Sequence, residues 1–235
     1  MFNQKSALII SIGLIFASFI FGLFFYFSKK SEQTIKVVGY ATNEFEADIV
    51  KWKFNFSEIV TLNGLTDGYN KMNQKLSIFK KIWNAMDIAT EEMNVQAVSV
   101  RKNYGEYGKI VGYILEQNIY IVSRDIDAIE KIAINPTNFT KKNLAFEYSD
   151  IQYFSSNLPE IKKQLLASAT QNAIERANEI ARSVSRKIKK MRSARAGVFQ
   201  ITEPYSTDIA GYGIHQTSTR KKNIRVTITS VFTLH

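Results

Sequence analysis

Four alanines recur at every fourth position between residues 165 and 184, and this spacing constrains the fold more than any other feature. They are Ala169, Ala173, Ala177 and Ala181. Residues four apart lie on one face of an α-helix, so the helix has a narrow and smooth face. Small side chains let a helix axis approach a sheet closely. We therefore expect this helix to lie on a β-sheet.

Strand patterns lie on both sides of that helix. Apolar and polar side chains alternate over 47–60 and, most regularly, over 224–234, which is typical of half-buried strands. The other predicted elements are an amphipathic helix at 69–86, a short helix at 125–134, and strands at 34–41, 95–102, 109–123, 146–154 and 188–202. The element order predicts an α+β domain with a mainly antiparallel sheet that two long helices cover on one side.

An uncharged apolar segment, Ser6–Phe27, precedes the domain. As a helix it would be roughly 33 Å long, enough to cross the ~30 Å hydrocarbon core of a membrane. A cleaved secretory signal is the alternative, but the apolar run exceeds the usual ~7–15 residues and no small-x-small cleavage site follows. The sequence predicts an uncleaved transmembrane signal anchor at 6–27, an N-terminal segment at 1–5, a linker at 28–33 and one domain at 34–235.

Composition excludes several kinds of site. The chain has no cysteine, so thiolate nucleophiles, disulfides and cysteine-based metal sites are ruled out. Its only histidines are His215 and His235, which are too few for a histidine-rich metal site. The formal net charge of +10 indicates an anionic neighbour, such as membrane headgroups, surface polysaccharide or nucleic acid.

Two basic clusters, called here the basic set, carry much of this charge. The first cluster is Arg186, Lys187, Lys189, Lys190, Arg192 and Arg195, and the second is Arg220, Lys221, Lys222 and Arg225. If the last two long strands pair, the clusters could converge at one end of the sheet and bind phosphates of lipid, lipopolysaccharide or nucleic acid. The alternative is a strand edge that lysines protect from aggregation. Nucleic acid is the least favoured partner, because aromatic residues are not interleaved with the basic ones.

Other candidate sites have simpler explanations. His215 shares a loop with Asp208 and several hydroxyls, but no strand-serine-helix elbow accompanies a Ser-His-Asp arrangement, so a solvated histidine is expected. The acidic residues Glu44, Glu46 and Asp48, with Glu91 and Glu92, lack the loop pattern of a hard-cation site. We predict no catalytic residue, no cofactor and no metal ligand.

Several segments in a fixed order resemble the SIMPL-domain family of the bacterial envelope. They are Ile35–Ala41 (IKVVGYA), Gly112–Gln117 leading into Ile119–Ser123, Asp127–Lys131, the alanine helix with Glu175-Arg-Ala177, and the final strand. The resemblance implies an inner-membrane anchor with residues 1–5 in the cytoplasm and the domain in the periplasm. It outweighs the positive-inside rule, by which Lys29, Lys30 and Lys36 favour a cytoplasmic domain.

The resemblance also implies a non-enzymatic role in envelope integrity or stress tolerance, and homo-oligomeric rings in some members. The basic segment 185–190 departs from the leucine-glycine-rich turn that is usual there. We therefore expect a membrane-anchored binding or oligomerising module, with the basic set as a contact for anionic lipid or another envelope component. The alternatives are an enzyme centred on His215 and a cytoplasmic, membrane-tethered nucleic-acid binder.

Overall fold

A computed structural model describes residues 4–28 and 33–235 of the chain. Helix α1, Gln4–Ser28, contains the exposed apolar stretch Ile10–Phe27, which is long and apolar enough to cross a membrane as a single-pass anchor or to serve as a signal sequence. Residues 1–3 of the predicted N-terminal segment and 29–32 of the predicted linker lie outside the described residues.

The remaining elements mix helices with mostly antiparallel strands. In chain order they are β1 (Thr34–Glu46), β2 (Ile49–Thr61), α2 (Leu65–Ala85), β3 (Glu92–Val95), β4 (Ser99–Tyr104), a 3-10 turn (Glu106–Gly108), β5 (Ile110–Ser123), α3 (Ile126–Ile134), α4 (Thr137–Thr140), β6 (Tyr148–Phe154), α5 (Leu158–Ser183), β7 (Ile188–Ala196), β8 (Gln200–Thr202), β9 (Ile214–His215) and β10 (Lys221–Leu234). This architecture confirms the predicted α+β class.

Two sheets of five strands each form within the described residues, where the sequence indicated one. The first has the order β1-β10-β8-β9 with β7 also on β10, and the second has the order β3-β5-β2-β6 with β4 on β5. The alternation of apolar and polar residues identifies a strand but not the strands that pair with it. For this reason the sequence indicated one sheet where the described residues form two.

The chain divides into two compact units. The anchor unit consists of Met1–Tyr40, Ser168–Gly197 and Thr227–His235, and the main unit consists of Ala41–Ala167 and Val198–Val226. Both β1 and β10 contribute residues to each unit.

The core of the main unit is built on β2, which pairs with β5 on one side and β6 on the other. Its alternate residues Val50, Trp52 and Phe54 are at most 1% exposed. Phe79 and Trp83 of α2 pack against this face in the same cluster. The predicted alternation of β2 and the amphipathic face of α2 are therefore confirmed.

The anchor unit is built on the alanine face of α5. Ala169, Ala173, Ala177 and Ala181 are at most 1% exposed, and a Cβ atom at Gly39 of β1 would lie only 2.7 Å from the Cβ of Ala173. The close approach of helix to sheet that the alanine spacing predicts is confirmed, and a glycine on the strand completes it.

The strand predicted at 188–202 is two strands, β7 and β8, separated at residues 197–199. At the break, the N–H of Gly197 donates a hydrogen bond to the Thr227 carbonyl at 2.8 Å, and a Cβ on Gly197 would lie 2.6 Å from the Thr227 hydroxyl. The chain can pass this close to β10 only without a side chain. A single glycine was the only sequence sign of the break.

Candidate functional site

The first cluster of the basic set lies on β7 and the turn before it. All six side chains are exposed, and in the described part of the chain none of them has an ion pair or a side-chain hydrogen bond. Strand β7 pairs with β10 alone, so its other edge is unpaired among the described strands. Among the described residues, the cluster therefore presents six positive charges without an acidic partner, four on the edge strand β7 and two, Arg186 and Lys187, in the turn before it.

Two β-bulges determine which residues of β7 face outward. The register passes from Ser193 opposite Val231 to Met191 opposite Phe232, and then from Lys190 opposite Thr233 to Ile188 opposite Leu234. The extra residues are thus Arg192 and Lys189.

These bulges change the alternation of the strand. Ile188 and Met191, three positions apart, both pack against the cluster that contains Val37 and Phe232, which a regular strand with a period of two would not allow. Lys189 and Lys190 are consecutive and both exposed. The bulges therefore raise the density of positive charge on the outer side of β7.

The beginning of β7 lies at the same end of the sheet as the beginning of β1. The N–H of Leu234 donates to the Gln33 carbonyl at 2.9 Å, and the N–H of His235 donates to the Lys187 carbonyl at 2.9 Å. Gln33 follows the last residue of α1, Ser28, by five residues. Lys187 is thus at the end of the sheet where the chain arrives from α1.

The second cluster is not one surface. Arg220 forms ion pairs with Glu46 at 3.1 Å, Asp127 at 2.7 Å and Glu130 at 3.8 Å. The exposed Lys221 follows it, and Arg225 lines a cavity. Arg220 thus belongs to a network that links the start of β10 to α3 and the end of β1.

The prediction that Lys222 belongs to an exposed basic set was wrong, because this residue is only 2% exposed. Its ammonium group donates to the carbonyl oxygens of Tyr153 at 2.7 Å and Gln216 at 2.6 Å. Burial lowers the pKa of Lys222 to about 8. Lys222 has the same parity along β10 as Ile224 and Val226, so the alternation already indicated that it faces inward.

The two clusters belong to different units, the first to the anchor unit and the second to the main unit. Strand β7 pairs with the stretch Ile228–Leu234 of β10, whereas Arg225 lies opposite Gln200 of β8. The pairing of β7 with β10 therefore does not place the first cluster opposite the second.

A small polar cavity of about 150 Å³ lies in the main unit. Its walls include Gln200, Asp208 and Arg225. The side-chain amide of Gln200 holds the loop above it, donating to the Ala210 carbonyl at 2.8 Å and accepting from the Ala210 N–H at 3.3 Å. This cavity has space for a few ordered waters.

His215 does not form a triad with the residues around it in sequence. In the described part of the chain it has no hydrogen bond to Asp208, which lines the polar cavity. Partial burial lowers the pKa of His215, and the positive charges of Lys222 and Lys162 lower it further. Burial and these two positive charges therefore favour the neutral form of the imidazole, and no carboxylate of the described residues is hydrogen-bonded to it.

Four of the five acidic residues considered as cation ligands, Glu46, Asp48, Glu91 and Glu92, have protein partners. Asp48 accepts from the N–H of Ser156 at 2.7 Å and pairs with Arg124 at 3.3 Å, while Glu91 pairs with Arg124 at 3.4 Å. Partial burial opposes ionisation of Asp48, but the bonds from Ser156 and the charge of Arg124 outweigh it and lower its pKa. Within residues 4–28 and 33–235, no group of three or more ligand side chains is arranged to hold a metal.

Two side chains of α5 had no recognisable functional signal in the sequence. Asn172 accepts a hydrogen bond from the N–H of Tyr40 at 3.1 Å, and Arg176 donates to the Val38 carbonyl at 2.5 Å. These two side chains use a backbone N–H and a backbone carbonyl of β1 that could otherwise bond to an added strand. This segment of β1 is therefore protected against strand addition.

The family comparison covers both units. The model of the SIMPL family, described as a protein of unknown function (DUF541), matches residues 35–232. No curated protein matches the chain significantly. The matched residues run from Ile35 of β1 to Phe232 of β10, which includes the alanine face of α5 and the basic strand β7. Since the match covers most of its length, the chain belongs to the SIMPL family.

Proposed function

We propose that the protein is a membrane-anchored, non-enzymatic module of the bacterial periplasm that binds a partner or assembles with copies of itself, in support of envelope integrity or stress tolerance. The observation that carries this proposal is the exposed basic strand β7, which belongs to the same unit as the apolar helix α1 and has no acidic partner among the described residues. An anchor and an unpaired charged strand suit a protein that acts through contacts at a membrane.

The partners of the perturbed ionisable groups support a non-enzymatic role. Lys222 is held by two backbone carbonyls, and Tyr153 donates its hydroxyl to Glu130 at 2.6 Å. Arg220 in turn pairs with Glu130. Burial accounts for the lowered pKa of Lys222, and Tyr153 and Arg220 are held by protein partners within the main unit, whereas a catalytic group needs a reacting partner in a cleft.

The orientation of the chain in the membrane can be tested with introduced cysteines, because the natural sequence has none. Tyr212→Cys places a thiol at a position that is 92% exposed in the main unit. A membrane-impermeant maleimide should label it in intact spheroplasts. Asn3→Cys is the matched control and should react only after permeabilisation. Labelling of Asn3→Cys but not Tyr212→Cys in intact spheroplasts would contradict a periplasmic domain.

Assembly can be tested on the full chain in detergent. Light scattering coupled to size exclusion should report a protein mass larger than that of one chain, and the mass should rise with concentration if the contact is weak. A single-chain mass at every concentration, together with no chemical crosslinking in native membranes, would remove self-assembly from the proposal and leave partner binding.

A further inference from the structure

The chain length between α1 and the sheet limits how far β7 can lie from a membrane. The five-residue step from Ser28 to Gln33 spans at most about 18 Å when fully extended. Gln33 bonds to Leu234 of β10, and the next residue of β10, His235, bonds to Lys187. Two strand spacings separate Gln33 from Lys187, or roughly 10 Å. The beginning of β7 is thus within reach of the surface of any bilayer that holds α1.

The composition of this segment suits lipid phosphates. Residues 186–195 contain six cations, no acidic residue and no aromatic residue. Each cation close to an anionic bilayer strengthens attachment by about fivefold, so several together have a large effect. Single-stranded nucleic acid would favour aromatic stacking platforms, which the segment lacks.

Protection of the strand edge accounts for only part of the pattern. A few charges on a strand are enough to discourage edge-to-edge pairing, and the two bulges already disrupt the edge. Arg186 and Lys187 precede β7, so they add no protection to the strand itself. Their position at the end of the sheet that is reached from α1 calls for another explanation.

We infer that Arg186, Lys187, Lys189, Lys190 and Arg192 contact the anionic phospholipid headgroups of the bilayer that holds α1. The inference rests on the proposed anchoring by α1 and adds the surface through which the domain meets that bilayer. The contact holds the outer side of β7 against the headgroups. Because it depends on exposed charges, added salt weakens it.

The test uses the full chain in lipid nanodiscs, with a single cysteine introduced by Ser193→Cys on the exposed side of β7. The rate of maleimide labelling is compared between phosphatidylcholine discs and discs that also contain phosphatidylglycerol. We expect labelling to be at least about fivefold slower in the anionic discs at low salt, and to recover at high salt. Tyr212→Cys, outside the basic set, is the position control, and Ser193→Cys should be slowed by anionic lipid more than Tyr212→Cys is.

A matched pair of triple variants assigns the effect to named residues. Lys187→Gln, Lys189→Gln and Lys190→Gln together should abolish the slowing, while Lys80→Gln, Lys81→Gln and Lys221→Gln, which remove the same charge from other exposed positions, should preserve it. Thermal unfolding of both variants checks that each remains folded.

Three outcomes would overturn the inference. They are equal labelling of Ser193→Cys in neutral and anionic discs, equal slowing in both triple variants, and protection by an added oligonucleotide in neutral discs without protection by anionic lipid. Failure of the chain to remain with the discs during purification would instead count against anchoring by α1, so the two proposals can fail separately.

Discussion

Gly39 and Ala173 are packed so closely that a methyl group on Gly39 would lie 2.7 Å from the Cβ of Ala173. Two Cβ atoms at this distance overlap sterically. Either α5 or β1 must therefore move to make room for the methyl group. The anchor unit depends on this contact because Ala173 belongs to a buried cluster with Val37 of β1, Ala177 of α5 and Phe232 of β10.

Gly39→Ala should therefore lower the free energy of unfolding by about 1–3 kcal/mol through overpacking. Urea denaturation of the full chain in detergent, followed by circular dichroism, measures the change. Gly211→Ala is the control, because no atom lies near that position and its backbone needs no positive φ, so its stability should be unchanged. Equal stability of Gly39→Ala and the natural chain would contradict the close packing.

Lys222 should make the stability of the main unit depend on pH. Burial lowers its pKa to about 8 from an ordinary value of 10.5, so between these values the unfolded chain binds more protons than the folded one. The free energy of unfolding should then rise as pH increases through this window. The difference between the two pKa values corresponds to roughly 3 kcal/mol.

Urea denaturation followed by the fluorescence of Trp52 and Trp83, both in the main unit, reports this dependence. The rise should disappear in Lys222→Met and persist in Lys221→Met, which removes the exposed neighbouring lysine. A natural chain whose pH profile matched that of Lys222→Met would show that the ammonium group is not buried.

Arg220 should contribute more to the free energy of unfolding than a residue of an exposed ion pair does. Its side chain is 34% exposed and faces three carboxylates, so Arg220→Gln leaves Glu46, Asp127 and Glu130 without their shared cation. We expect a loss of about 1–2 kcal/mol, because several partners act together.

Lys163→Gln is the matched comparison for Arg220→Gln. It removes one cation from a pair with Glu160 in which the lysine side chain is 80% exposed, and the loss should be below about 0.5 kcal/mol. The same denaturation measurement serves both variants. Losses of equal size would mean that the Arg220 network is no stronger than an ordinary surface pair.

The local patterns of the sequence predicted single elements well. The alanine spacing predicted the buried face of α5, and alternation predicted the core face of β2, because both depend only on the periodicity of one element. The alternation along β10 also indicated that Lys222 faces inward, whereas the positive charge of the residue favoured a surface position. Here the backbone carbonyls of Tyr153 and Gln216 made burial of the ammonium tolerable.

Features that join distant segments were not predictable. The carboxylates around Arg220 come from β1 and α3, and the division of β10 between β7 and β8 depends on pairing that no local period encodes. The bulges at Lys189 and Arg192 could not be predicted either, because only the pairing register between β7 and β10 defines them. For this reason the ten basic residues looked alike in the sequence but have different environments in the structure.

The five-residue step between Ser28 and Gln33 has a further consequence for how copies of the chain meet. In a membrane-held chain, so short a step keeps every domain at nearly the same height and confines its diffusion to a plane. Encounters between copies then occur in two dimensions, where the effective concentration is far higher than in dilute solution. A contact too weak to survive purification would then be occupied more fully in the membrane than in detergent, and crosslinking in native membranes would detect it.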